Sequence, residues 1–83
     1  MRYIVVSKKT SKKRYFDKID NARAYALTIA HKEHGADIYS EKGVMIGVIV
    51  ANSGRNSDRN IWMDFTSGIA YELNKDGELI KRL

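Results

Sequence analysis

The sequence predicts an α+β fold in which an N-terminal β-hairpin, one α-helix and a following antiparallel β-meander form a curved sheet with the helix packed on one face. Two observations lead there. Only one stretch, about Lys18 to His34, repeats its apolar residues at helical spacing over several turns. The other apolar residues fall in short runs divided by clusters of Gly, Asn, Asp, Ser and Lys, the pattern of strands and turns. At 83 residues there is room for one core, so residues 1–83 read as a single small domain of modest stability.

Tyr3-Ile4-Val5-Val6 is β-branched, aromatic and too short for a helix, so it is expected to be a strand. A polar run from Lys8 to Lys12 separates it from Arg14-Tyr15-Phe16-Asp17, a second strand paired antiparallel with the first, which puts the polar run at a hairpin tip. The helix follows. Asp17 and Asp20 are its candidate N-caps, and Gly35 is able to adopt the left-handed conformation that stops it. At 100° per residue Ile19, Ala22, Ala26, Ile29 and Ala30 share a face, with Tyr25 and Leu27 at its edges and Arg23 expected at the rim. The small alanines would let the helix lie close to a sheet.

Ala36 to Ser40 reads as a short strand, Glu41-Lys42-Gly43 as a turn, and Val44 to Ala51 as the longest strand. Every residue of that last run is apolar or Gly, so it is expected to be central and covered on both faces. The alternative is that one of its faces forms a subunit interface, because a single helix offers little material to cover a second face. Asn52 to Asn60 is a long aperiodic polar stretch, expected to be a mobile loop. Ile61 to Phe65, Ile69 to Leu73 and Glu78 to Leu83 then form the meander, with Asp76-Gly77 a strong hairpin signal.

There is no Cys, hence neither disulfide nor thiolate metal site. The apolar start ends at Lys8, too soon for a signal-peptide core, and no apolar run reaches the about 18 residues of a membrane span. A cytoplasmic protein without membrane contact is expected. His31, Glu33, His34 and Asp37 can be drawn as a divalent site, but His31 falls on the solvent side of the helix, and a His near a helix C-terminus is favoured by the dipole alone. Asp17, Asp20 and Asp64 are the candidate acid/base carboxylates, and helix capping explains the first two. With no nucleophile elbow, phosphate-cradling Gly motif or zinc-protease motif, the sequence points away from an enzyme, and no cofactor or metal is expected.

Charge is the informative feature. Net charge is +5, yet residues 1–18 carry seven Lys/Arg against one Asp, and the remainder is nearly balanced. Lys8, Lys9, Lys12, Lys13 and Arg14 gather five cations at the hairpin, with Thr10 and Ser11 as hydroxyl donors and Tyr15 as a stacking surface. Arg55 and Arg59 would extend the patch if their loop folds toward it. The expected function is therefore a non-enzymatic binding module whose basic hairpin contacts nucleic-acid phosphates or another acidic surface, such as that of a protein. The rival is a protein-interaction or assembly domain, homodimeric or an accessory or inhibitor protein of a mobile element, that uses an apolar strand or the aromatic meander.

Overall fold

A computed structural model of the chain describes residues 2–33, 35–51 and 60–83. Among these, seven strands and one helix run in the order β1 (Tyr3–Val6), β2 (Lys13–Phe16), α1 (Ile19–Glu33), β3 (Ala36–Ser40), β4 (Met45–Ala51), β5 (Asn60–Asp64), β6 (Ile69–Leu73) and β7 (Leu79–Arg82). The strands form one antiparallel sheet of order β2-β1-β3-β4-β5-β6-β7. The chain makes a hairpin, crosses the sheet as a helix, re-enters beside β1 and then meanders outward. The expected α+β fold, with its hairpin, helix and meander, is the one found. The strand expected over Val44 to Ala51 lies at the middle of the sheet, as β4.

Opposed residues in antiparallel neighbours share a face of the sheet. One row on the helix side runs through Arg14, Val5, Ile38, Gly47 and Asp64, and a second through Ala36, Ile49, Trp62 and Tyr71. Trp62, Ile38, Ile49 and Val5, the largest fully buried side chains, all lie in these rows. They pack against Ala22, Ala26, Leu27 and Ala30 of α1. The alanines do what their size allows: α1 rests directly on β1, β2, β3 and β4, with half-buried Ile19, Tyr25 and Ile29 at its flanks. Gly47 belongs to the same fit, because a Cβ there would meet the Trp62 ring.

Arg23 is not at the rim. It is 6% exposed, and its guanidinium lies 5.6 Å from the centre of the Trp62 ring. Its Nε–H donates to the Gly77 carbonyl at 2.7 Å and its Nη2 to Asp20 Oδ1 at 2.8 Å. The long side chain runs past the alanine stripe to the β6–β7 turn, which helical periodicity alone does not convey. That turn closes on the helix: Gly77 has φ +81°, and a Cβ there would overlap the backbone of Asp20 and Ala24.

Two further expectations are corrected. The Lys18 carbonyl accepts the bond from the Ala22 N–H at 3.1 Å, so Lys18 occupies the cap position, not Asp17 or Asp20. Asp20 is drawn to Arg23 instead, and Asp17 stands 4.0 Å from Arg2 in an exposed ion pair. Moreover, among the described residues β4 is covered on one face only. Gly47 and Ile49 are buried under the helix, whereas Met45 and Val48 on the other face are half-buried and Val50 is exposed. The expected mobile loop over Asn52 to Asn60 lies outside the described residues, apart from Asn60, which begins β5.

The turn glycines separate sterics from backbone preference. Gly68, with φ +72°, has open space around its Cβ position. Gly68→Ala is therefore expected to cost only the left-handed backbone strain of about 1–2 kcal/mol. Gly77→Ala adds overlap with the helix backbone and should cost clearly more. Arg23→Lys keeps the charge but loses the planar fork, and is expected to destabilise by about 1.5–3 kcal/mol. Urea unfolding midpoints of the three variants check all of these.

Candidate functional site

The β1–β2 connection is ordered by its own polar groups. Ser7 N–H donates to the Lys12 carbonyl at 3.0 Å and Ser11 N–H to the Ser7 carbonyl at 2.9 Å, with Ser11 itself at φ +61°. Thr10 N–H donates to the Ser7 hydroxyl, and Lys12 N–H to Thr10 Oγ1. The tip is thus a shaped loop whose backbone is set by Ser7, Thr10 and Ser11 lying among the lysines.

Between this hairpin and α1 is a cleft of about 370 Å³ lined by Lys12, Lys13 and Arg14, by Ser7 and Thr10, and by Val5, Tyr25 and Ile29. Among the described residues three cations and two hydroxyl side chains meet there, and no carboxylate lines it. Arg14 is fixed by stacking: its guanidinium carbon lies 4.7 Å from the centre of the Tyr25 ring and 5.8 Å from that of Phe16, two rings that themselves pack at 5.3 Å. Stacking occupies the faces of a guanidinium and leaves its in-plane N–H donors available to an acceptor.

The predicted site residues do not all gather here. Lys12, Lys13 and Arg14 line the cleft. Lys9 is exposed on the tip beside it. Lys8 turns to the opposite face of the sheet, where its Nζ stands 3.5 Å from Asp37 Oδ1. At that distance the contact is an ion pair rather than a hydrogen bond, and the buried Asp37 Oδ1 indeed accepts none. Tyr15 pairs with Ile4 and so also faces away from the cleft, 54% exposed. Tyr25, a helix-edge residue by its periodicity, supplies the aromatic ring in its place. Arg55 and Arg59 lie outside the described residues.

The other chemistry-bearing residues serve the fold. Asp64 borders a second hollow of about 290 Å³ with Tyr3, Arg23, Trp62 and Thr66. Its Oδ1 accepts the Thr66 N–H at 2.8 Å, the Thr66 hydroxyl at 2.6 Å and the Ser67 N–H at 3.2 Å, while Trp62 Nε1–H approaches Oδ2 at 3.4 Å. Burial would raise its pKa, but the bonds from Thr66, Ser67 and Trp62 together outweigh that and hold it below the usual carboxylate value. Arg23, across the hollow, is pulled below its usual value by burial, with Asp20, Asp64 and Tyr3 opposing. Asp64 thus stays charged to close a turn, and neither Asp17 nor Asp20 lines the hollow. Among the described residues no three His, Asp or Glu side chains come together as a metal site; His31 is exposed, and His34 lies outside the described residues. No described helix is long and apolar enough to cross a membrane.

No protein-family model matches the chain, and no curated protein or solved structure matches it.

The Asp64 shift has a definite sign. A carboxyl whose pKa is lower folded than unfolded contributes stability that is complete above its unfolded value, about 3.9, and is lost as pH falls through the folded value. Asp64→Asn should therefore flatten the decline of the thermal midpoint from neutral pH into acid. Parallel curves for variant and wild type would mean that the turn bonds are not sensitive to the charge.

Proposed function

We propose that this chain is a non-enzymatic module that binds nucleic acid through its phosphates, using the cleft between the β1–β2 hairpin and α1. The observation that carries this reading is the convergence of Lys12, Lys13 and Arg14 with the hydroxyl-bearing Ser7 and Thr10 on one concave surface that no described carboxylate lines. Phosphate oxygens accept from such donors, and cations that replace condensed counterions supply binding free energy without reading base identity. Lys9 on the tip extends the contact along a backbone. Tyr25 offers a ring edge to a sugar or an unstacked base, though Arg14 already covers part of it.

The arrangement divides the labour. Arg14, braced on two rings, is a fixed donor, whereas Lys9, Lys12 and Lys13 are exposed and follow the phosphates by rotamer changes. An acidic protein would meet the same charges. What favours nucleic acid is the joining of cations with the hydroxyl donors Ser7 and Thr10 in one cleft, the donor set that phosphate oxygens accept from.

Fluorescence anisotropy with labelled single- and double-stranded DNA and RNA over a salt series tests the proposal. Binding should weaken linearly in log affinity against log salt. Lys9/Lys12/Lys13→Gln should lower that slope by about 0.7–0.9 for each phosphate that is no longer neutralised, and leave the thermal midpoint near that of the wild type. Arg14→Gln should weaken binding and also loosen the hairpin from the helix. Wild-type affinity indistinguishable from that of the triple variant would overturn the reading and redirect the search to acidic protein partners.

A further inference from the structure

We infer, on the strength of the phosphate-binding reading above, that the cleft takes single-stranded nucleic acid, with one unstacked nucleotide seated between the β1–β2 hairpin and α1. The cleft has two unlike walls. The hairpin wall carries the cations Lys12, Lys13 and Arg14, and the helix wall carries Tyr25 and Ile29. Ile29 follows Tyr25 by one helical turn, so the two side chains stand one above the other, and both are half-buried. They leave a strip of apolar surface along the cleft. Val5, buried and opposite Arg14 in the sheet, underlies the space between the walls. Arg14 joins the walls by stacking on Tyr25.

A ligand that meets only the cations leaves the helix wall in water. One that meets both walls needs phosphate along one side and a flat, largely apolar body along the other. A nucleotide whose base has left the stack has that form.

Size and shape oppose a duplex. A space of about 370 Å³ lies near the lower end of the range of about 300–1,000 Å³ for small-molecule sites, enough for a nucleotide unit and far too little for a double helix. In a duplex the base faces are hidden in the stack, so only phosphates, sugars and groove edges can reach the protein. Reading the major groove takes an α-helix or a two-stranded ribbon that can enter it. The solvent side of α1 exposes Asp20, Asn21, Thr28, His31 and Lys32, a face with one lysine against one carboxylate. The β1–β2 ribbon is held back by its neighbour, because every residue of β1 from Tyr3 to Val6 is paired with β3.

Charge alone makes the opposite prediction. Each neutralised phosphate contributes a salt slope of about 0.9 on duplex DNA against about 0.7 on a single strand, so a purely cationic surface prefers a duplex of the same length.

Fluorescence anisotropy at one fixed salt concentration, with three labelled DNA probes of equal length, separates the two. The probes are oligo(dT), a mixed-sequence duplex and an abasic strand that keeps every phosphate. Oligo(dT) should bind more tightly than the duplex, and more tightly than the abasic strand by about fivefold or more, the lower bound for one base stacked on an aromatic side chain. Ile29→Ala should narrow the gap between oligo(dT) and the abasic strand while leaving the affinity for the abasic strand unchanged. A duplex or an abasic strand bound as tightly as oligo(dT) overturns the single-strand inference and leaves phosphate binding standing. Failure of all three probes to bind overturns the phosphate reading, and the single-strand inference with it. The probe comparisons use the wild type alone, so they decide the matter even if Ile29→Ala does not fold.

Discussion

The guanidinium of Arg23 is the point at which this fold is joined. A fifteen-residue helix is about 22 Å long and about 10 Å wide, too narrow to lie on seven strands at once. Its closest packing is on β1 to β4. Arg23 carries the helix further: it spreads over Trp62 of β5 and bonds the carbonyl of Gly77 in the β6–β7 turn. Burying a guanidinium is costly unless its donors are met, and Gly77 and Asp20 meet them. The close approach of Gly77 to the helix backbone places the carbonyl within reach. Helix, β5 and the distal hairpin therefore hold one another through a single side chain that would be unstable in that position without all three.

From this join follows the asymmetry of the molecule. Everything the helix and Arg23 organise lies on one side of the sheet, where the largest buried side chains are found. The other side has no layer among the described residues, yet most of the side chains at its centre are apolar. The basic cleft sits at the border of the two. Arg14 points toward the helix and stacks on Tyr25, while Tyr15, the next residue, points to the open face. Lys13 lines both the cleft and a hollow in the open face beside Ile4, Val6 and Tyr39. The alternation of a strand thus places one short segment, Lys13–Phe16, at two surfaces of different character.

Most of the architecture was legible in the chain because it rests on local patterns: the alanine stripe of α1, the β-branched run of β1, the Asp-Gly turn before β7. The central place of β4 was legible too, but its composition did not distinguish burial on two faces from burial on one, since an uncovered apolar face and a covered one read alike. Arg23 was hidden for a different reason. Periodicity located it on the inner face, but its role depends on Gly77 and Trp62, distant in sequence, and no local rule joins them. Within the site, the basic hairpin was evident from charge alone. Its division, with Lys8 turned to Asp37 and Arg14 to Tyr25, depends on the alternation of β1 and β2 and on which side the helix lies. Tyr25 was seen only as a packing residue, because its contact with Arg14 requires the hairpin to fold back on the helix.

The strand order also bears on how the chain reaches this structure. Every sheet neighbour except one is a consecutive strand, so β1–β2 and the run from β3 to β7 can zip from local turns with small loss of chain freedom. The exception is β1 beside β3, which encloses β2 and the whole helix. Closing that loop is favourable only when the alanine face of α1 has reached Val5 and Ile38, so helix docking and the β1–β3 pairing belong to one cooperative event. The pairing that closes the longest loop thus lies in the half of the molecule that bears the basic hairpin, whereas the neighbours within the distal meander are all consecutive strands.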